Sequence, residues 1–183
     1  MAKVRNNIFV RGLSGSVGDQ FVVKQSRDGK TIISNSPTFN QNRSFSAAQL
    51  DQQDKFRDAV AYARSAQLLP IYAERSKDAQ RSSYNLAIAD FFHAPEVREV
   101  DASGWTLQAG QVIRVRVLDD VQVSQVTLMI HDGMGEVFEQ GNATMADGGW
   151  WVYATTAAAE DGAKLKVTAR DLPGNVVVLD WEG

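Results

Sequence analysis

The chain has 183 residues, 44% of them hydrophobic and 22% charged, with a net charge of −3 and no cysteine. This is an ordinary globular composition with enough apolar material for a core, and it excludes a disulfide framework and a cysteine-ligated zinc site. The charge is uneven: residues 1–43 carry seven basic side chains (Lys3, Arg5, Arg11, Lys24, Arg27, Lys30, Arg43) against two acids (Asp19, Asp28), about +5. Residues 96–183 carry six basic against fourteen acidic, about −8, and residues 44–95 balance at six of each. A basic front and an acidic back point to a molecule that joins copies of itself or a partner. The opening MAKVRNNI lacks the apolar run of a signal peptide, and no stretch approaches the roughly 20 apolar residues of a membrane span. The expectation is synthesis in the cytoplasm and no membrane association. Later location stays open, an extracellular filament or a virion-like particle included.

Residues 1–43 read as an extended β-hairpin arm. The runs FVVKQS (21–26) and TIISNS (31–36) flank RDGK, and Asp-Gly between β-rich runs is a strong hairpin signal. Pairing outward from a two-residue Asp28-Gly29 turn puts Phe21, Val23 and Ile32 on one face, and Val22 and Ile33 on the other. Such a hairpin needs cover on both sides. Ile8-Phe9-Val10 is a candidate short strand, and the spaced Gly12, Gly15 and Gly18 read as a hinge. Residues 37–43 read as linker.

Residues 44–95 read as helical. Ser46 and Gln49 form a capping box, with Phe45 and Leu50 placed as a hydrophobic staple. The helix is expected to run to about Ser65 with Phe56, Ala59, Val60 and Ala63 as its apolar stripe. Pro70 suits the first turn of a second helix. Ser82 or Ser83 is a candidate cap within the stretch from Ile71 to Phe92. There Leu86, Ala89 (or Asp90) and His93 share a side, and Pro95 is the stop. These two or three short helices are expected to pack on the β-domain or on a neighbour.

Residues 96–183 read as seven strands, near 97–101, 111–118, 123–131, 136–141, 149–155, 163–170 and 175–181. Ile113, Val115 and Val117 alternate with Arg114 and Arg116, and Leu165, Val167 and Ala169 alternate with Lys164, Lys166, Thr168 and Arg170. That period of two marks half-buried antiparallel strands. Seven short strands separated by turns predict a β-sandwich.

The segments VTLMIHDGMG (126–135), DGGWWVY (147–153) and VTARDLPGN (167–175) resemble bacterial Ig-like repeats, whose last strands read V-T-A-x-D-x-x-G-N. The resemblance covers about residues 96–181 and implies an Ig-like antiparallel sandwich used as a spacer or binding module. The Gly-x-x-Gly-x-x-Gly opening with its Gln-rich helix resembles the N-termini of short bacterial proteins, which implies no chemistry. The expected class is therefore mainly β with a helical insert: an Ig-like sandwich, an N-terminal hairpin arm and two or three short helices.

No catalytic, cofactor or metal motif emerges. Asp28-Gly29-Lys30-Thr31 lacks the upstream glycine of a phosphate-binding loop and precedes a strand, so it reads as a turn. His93 and His131 have no triad partner that spacing can place. Asp119, Asp120, Asp132, Glu136, Glu139 and Asp171 fall at strand ends, where calcium is one reading and solvated turns the favoured one. Asp171 is expected to hold the Asp-Leu-Pro-Gly-Asn turn with its own side chain. Trp105, Trp151 and Tyr153 are candidate ligand-facing aromatics for a glycan, although Trp151 and Tyr153 share a strand face and core packing is favoured. The basic arm has spread charges and few aromatics, so no nucleic-acid partner is expected. The leading expectation is a non-enzymatic structural protein, a homo-oligomer or polymer joined head-to-tail through Ile8, Phe9, Val10, Phe21, Val22, Val23, Ile32 and Ile33. An Ig-like binding or adhesion module is the alternative.

Overall fold

A computed structural model describes residues 2–4, 10, 12–18, 20–26, 28–38, 44–78, 81–132, 134 and 136–181. Among the described residues the chain is mainly β, with three antiparallel sheets and three helices, and it divides into two compact units, Met1–Ser46 and Ala47–Gly183.

The N-terminal unit is one sheet of four strands: β1 (Ala2–Val4), β2 (Gly15–Val17), β3 (Phe21–Gln25) and β4 (Thr31–Asn35), in the order β1-β4-β3-β2. The hairpin forms where Asp-Gly stands, but its register differs from expectation. The Ser26 N–H donates to the Lys30 carbonyl, leaving a three-residue loop over 27–29, and Gly29 takes φ +72°. A three-residue loop closed by a left-handed glycine is a standard hairpin connection, one residue longer than the turn expected. The slip pairs Val23 with Ile33 and Lys24 with Ile32. Because side chains alternate, Ile33 moves onto the face of Phe21 and Val23, and Ile32 moves to the face of Val22. The glycine-spaced segment also departs from the hinge reading, because Gly15–Val17 pairs with β3 as an edge strand.

The second unit opens with the helices α1 (Ala47–Ala66), α2 (Pro70–Asp78) and α3 (Ser83–Phe92). Ala59, Ala63 and Ala66 recur at helical spacing and are buried, whereas Phe56, expected in that stripe, is exposed. Small side chains on this face let α1 approach α3 closely. Pro70 begins α2, and the Ser82 hydroxyl caps α3 by accepting from the Asn85 N–H at 3.1 Å. Together the helices bury Tyr72, Leu86 and Ala87 with Val121 and Leu172, residues of two turns in the β region that follows.

That region contains β5 (Glu96–Asp101), β6 (Val112–Leu118), β7 (Val123–His131), β8 (Val137–Asn142), β9 (Thr144–Met145), β10 (Trp150–Ala154), β11 (Lys164–Asp171) and β12 (Val176–Trp181). The seven strands expected from the sequence are present, and β9 is additional. One sheet runs β5-β6-β10-β9 and the other β12-β11-β7-β8. Inward residues of both sheets, Ile113 and Val115 from one, Leu128, Ile130, Leu165 and Val167 from the other, form one buried cluster, an arrangement compatible with a β-sandwich. Each fully buried Leu, Ile or Val adds about 1.5–3 kcal/mol.

Gly149, in the 3-10 turn before β10, has φ +78°, and a Cβ there would lie 2.9 Å from Leu118 Cδ2 and 3.1 Å from the Val117 carbonyl oxygen. Gly149→Ala is expected to cost about 1–3 kcal/mol, through left-handed strain and that backbone contact, read as a lower urea midpoint with an unchanged slope.

Candidate functional site

The candidate assembly residues fall on the N-terminal sheet. By register Val17, Phe21, Val23 and Ile33 share one face with Gln25, Thr31 and Asn35, and Ser16, Val22, Lys24, Ile32 and Ser34 share the other. Both faces of β2–β4 are mixed, with four apolar side chains on the first and two on the second. Only Val23 and Thr31 are buried among the described residues of this unit, while Leu13, Val17 (55% exposed) and Phe21 stand open to solvent. Val10 is half-buried, and Ile8 and Phe9 lie outside the described residues.

The candidate ligand aromatics are placed differently. Trp151 and Tyr153 are each 7% exposed within the core, and Trp105 packs against it half-buried. Tyr153 fills the space over Gly141, where a Cβ would approach its ring to 2.7 Å. These side chains offer little surface to a sugar. The aromatic on the outer face of β10 is Trp150, whose ring lies under the Arg114 guanidinium at 4.7 Å.

The acids at strand ends act as fasteners. The Asp119 carboxylate accepts from the N–H groups of Val121 and Gln122. Asp132 accepts from Met134 and Glu136, and Glu139 from Thr156 and Ala157. Asp171 holds its turn as expected, accepting from the Gly174 N–H at 2.8 Å and the Asn175 N–H at 2.6 Å. Among the described residues no three His, Cys, Asp or Glu side chains are grouped to hold a metal ion.

Two of these acids belong to a polar junction that the sequence did not disclose. Asp90 on α3 has no exposed surface, and it accepts a short hydrogen bond from the Tyr72 hydroxyl of α2. Tyr62 of α1 joins them, its hydroxyl 2.7 Å from that of Tyr72. Burial pushes the Asp90 carboxyl up to about 7 against the opposing Tyr72 bond, with the negative charges of Asp119, Asp171 and Asp120 adding to the rise. Burial also raises Tyr72 and, despite its N–H donors, Asp171. Asn175 completes the joint: its amide donates to the Asp171 carboxylate at 2.7 Å and to the backbone oxygens of Asp90 and His93 at 3.2 and 3.1 Å. His93 Nδ1 in turn lies 2.6 Å from Asp120. The available signal was Asp90 four residues after Leu86, a charge on a stripe that otherwise faces a core.

A carboxyl group near neutrality beside a phenol has the chemistry of a proton donor, but Asp90 and Tyr72 are both sealed from solvent. A reactant has no access to them, and the arrangement ties helices to strand turns. A cleft of about 210 Å³, lined by Arg75, Asp119, Gln122, Met145 and Trp151 among others, is smaller than the roughly 300 Å³ from which ligand pockets usually start. No family model matches the chain, and no curated protein is similar to it.

Proposed function

We propose that this chain is a non-enzymatic structural protein whose copies join head-to-tail, the N-terminal sheet of one engaging the β region of the next in a homo-oligomer or filament. The observation that carries this reading is how few of the described residues of the N-terminal unit are buried. Forty-six residues are close to the lower limit for independent folding, and here a single apolar side chain, Val23, is buried among those described. A sheet with Val17, Phe21 and Ile33 on one face gains most by laying that face on another surface. Charge supports the same pairing: the N-terminal unit carries about +5 and the rest of the chain about −8. Because donor and acceptor surfaces differ, the contact is heterologous, closing into a ring or continuing as a filament.

We further read the β region as an Ig-like sandwich. Its orders β5-β6-β10-β9 and β12-β11-β7-β8 follow the A-B-E-D and G-F-C-C′ arrangement of that fold. In this reading the domain is a scaffold, with the helices fixed to one end through Val121, Leu172 and Asn175.

The test compares the mass in solution of the full chain with that of a chain starting at Ala47, which keeps both buried clusters. The full chain is expected to be multimeric at low salt and less so at 0.5 M, where the Debye length falls to about 4 Å. The shortened chain is expected to be a folded monomer. Full-length protein that stays monomeric at low salt overturns the proposal.

A further inference from the structure

The ends of the two sheets in the second unit are not equally protected. β5 is bulged at Arg98 and carries exposed Glu96, Arg98 and Glu99. β9 is two residues long. β8 is bulged at Phe138, and its Glu139 ties down the loop at Thr156 and Ala157. Each is a device that blunts an edge against pairing. β12 has neither a bulge nor a short length, and carries a single charge. Its pairing with β11 runs unbroken for six residues from Val176 to Trp181, and among the described residues no strand is hydrogen-bonded to its other side, although β5 of the other sheet comes near it. Its one charge, Asp180, is engaged by Lys166 at 3.3 Å. Its outward face holds Val176 and Val178, 44% and 53% exposed, beside Asp180, and on its inward face Val177, Leu179 and Trp181 are only half-buried against the core. A regular edge with no hydrogen-bonded neighbour and exposed valines is a surface on which a further strand gains both hydrogen bonds and burial.

The N-terminal sheet offers a matching edge. Its order leaves β2 outermost, and Gly15, Ser16 and Val17 are all exposed, with Val17 beside Phe21. We propose that the outer edge of β12 is the acceptor of assembly, and that β2 of a second copy adds to it so that the two sheets become continuous. This rests on the head-to-tail reading above and names its contact. The occupant is a second copy of this chain because β2 belongs to the +5 unit and β12 to the −8 unit.

The test uses the full chain in two ways. Val178→Lys, and independently Val176→Lys, change exposed side chains and place a positive charge against a basic donor. Each is expected to keep the wild-type circular dichroism and to weaken self-association by at least tenfold in sedimentation at low salt. Arg98→Lys on β5 is expected to leave association unchanged. Because the chain has no cysteine, single thiols report neighbours directly. Chains carrying Val17→Cys, mixed with chains carrying one cysteine at 176, 177, 178 or 179, are expected to give mixed disulfides under mild oxidation, since paired strands bring Cα atoms within bridging range. Unchanged association of both lysine variants, or cross-linking of Val17→Cys to Arg98→Cys in place of any β12 position, overturns β12 as acceptor. The head-to-tail reading would survive that result so long as the chain starting at Ala47 is monomeric while the full chain is not. A monomeric wild-type chain removes both.

Discussion

Replacing Asp90 by asparagine is expected to raise stability at pH 8 relative to pH 5 by roughly 3 kcal/mol compared with the wild-type chain. The carboxyl titrates near 3.8 when the chain is unfolded and near 7 when it is folded. The native state thus holds a proton that the unfolded state has lost throughout that interval. Its favourable contribution is complete below about 4 and is lost as the pH rises through 7. Asp171, also raised by burial, changes stability in the same direction. The groups facing Asp90 are Tyr72 and Tyr62 from the helices, Asp119 and Asp120 from the turn after β6, and Asp171 at the end of β11. At pH 8 an ionised Asp90 is sealed from solvent and feels the charges of three other acids. Asparagine keeps an oxygen for the Tyr72 hydroxyl and carries no charge to desolvate. Thermal melts of both proteins from pH 4 to pH 9 check this: the wild-type curve should fall across the interval, and the variant curve should be flatter. Parallel curves would show that Asp90 is not the group responsible.

Asp171→Ala is expected to destabilise the second unit by roughly 3 kcal/mol, lowering its melting temperature by about 10 °C. The side chain is buried, and its two oxygens satisfy the Gly174 N–H, the Asn175 N–H and the Asn175 amide. Alanine leaves these donors without their acceptor in a partly buried turn. The loss spreads beyond the turn, because the Asn175 amide also reaches the end of α3 through the oxygens of Asp90 and His93. Asp171→Asn should recover only part of the stability, since its own NH2 group would face that of Asn175. Amide exchange in α3 separates this account from a local effect: protection there should drop in Asp171→Ala. Loss confined to 171–176 would show that the turn and the helices are not coupled.

Residues 167–175 illustrate how far local chemistry reaches. An alternating strand ending in Asp-Leu-Pro-Gly-Asn signals both the strand and the role of Asp171, because a side chain bonding to N–H groups three and four residues ahead is a short-range event. The same holds for the starts of the helices, where Ser82 and Pro70 act within one turn. Asp90 marks the limit. Its neighbours Tyr72, Asp119 and Asp171 come from three other places in the chain, so neither its burial nor its raised pKa is present in any local pattern.

The sequence by itself determined which stretches are strand and which are helix, because side-chain periodicity and turn residues act over a few positions. Tertiary structure decided everything that depends on what faces what. A hairpin connection one residue longer than a two-residue turn exchanged the faces of Ile32 and Ile33 and put Ile33 beside Val23. Packing of two sheets drew Trp151 and Tyr153 inward and left Trp150 outside under Arg114. Strand order placed β12 at an edge and β11, similar in its alternation, in the interior of the same sheet. Alternation records only that one face of a strand is buried, and the partner on either side is chosen by contacts distant in sequence.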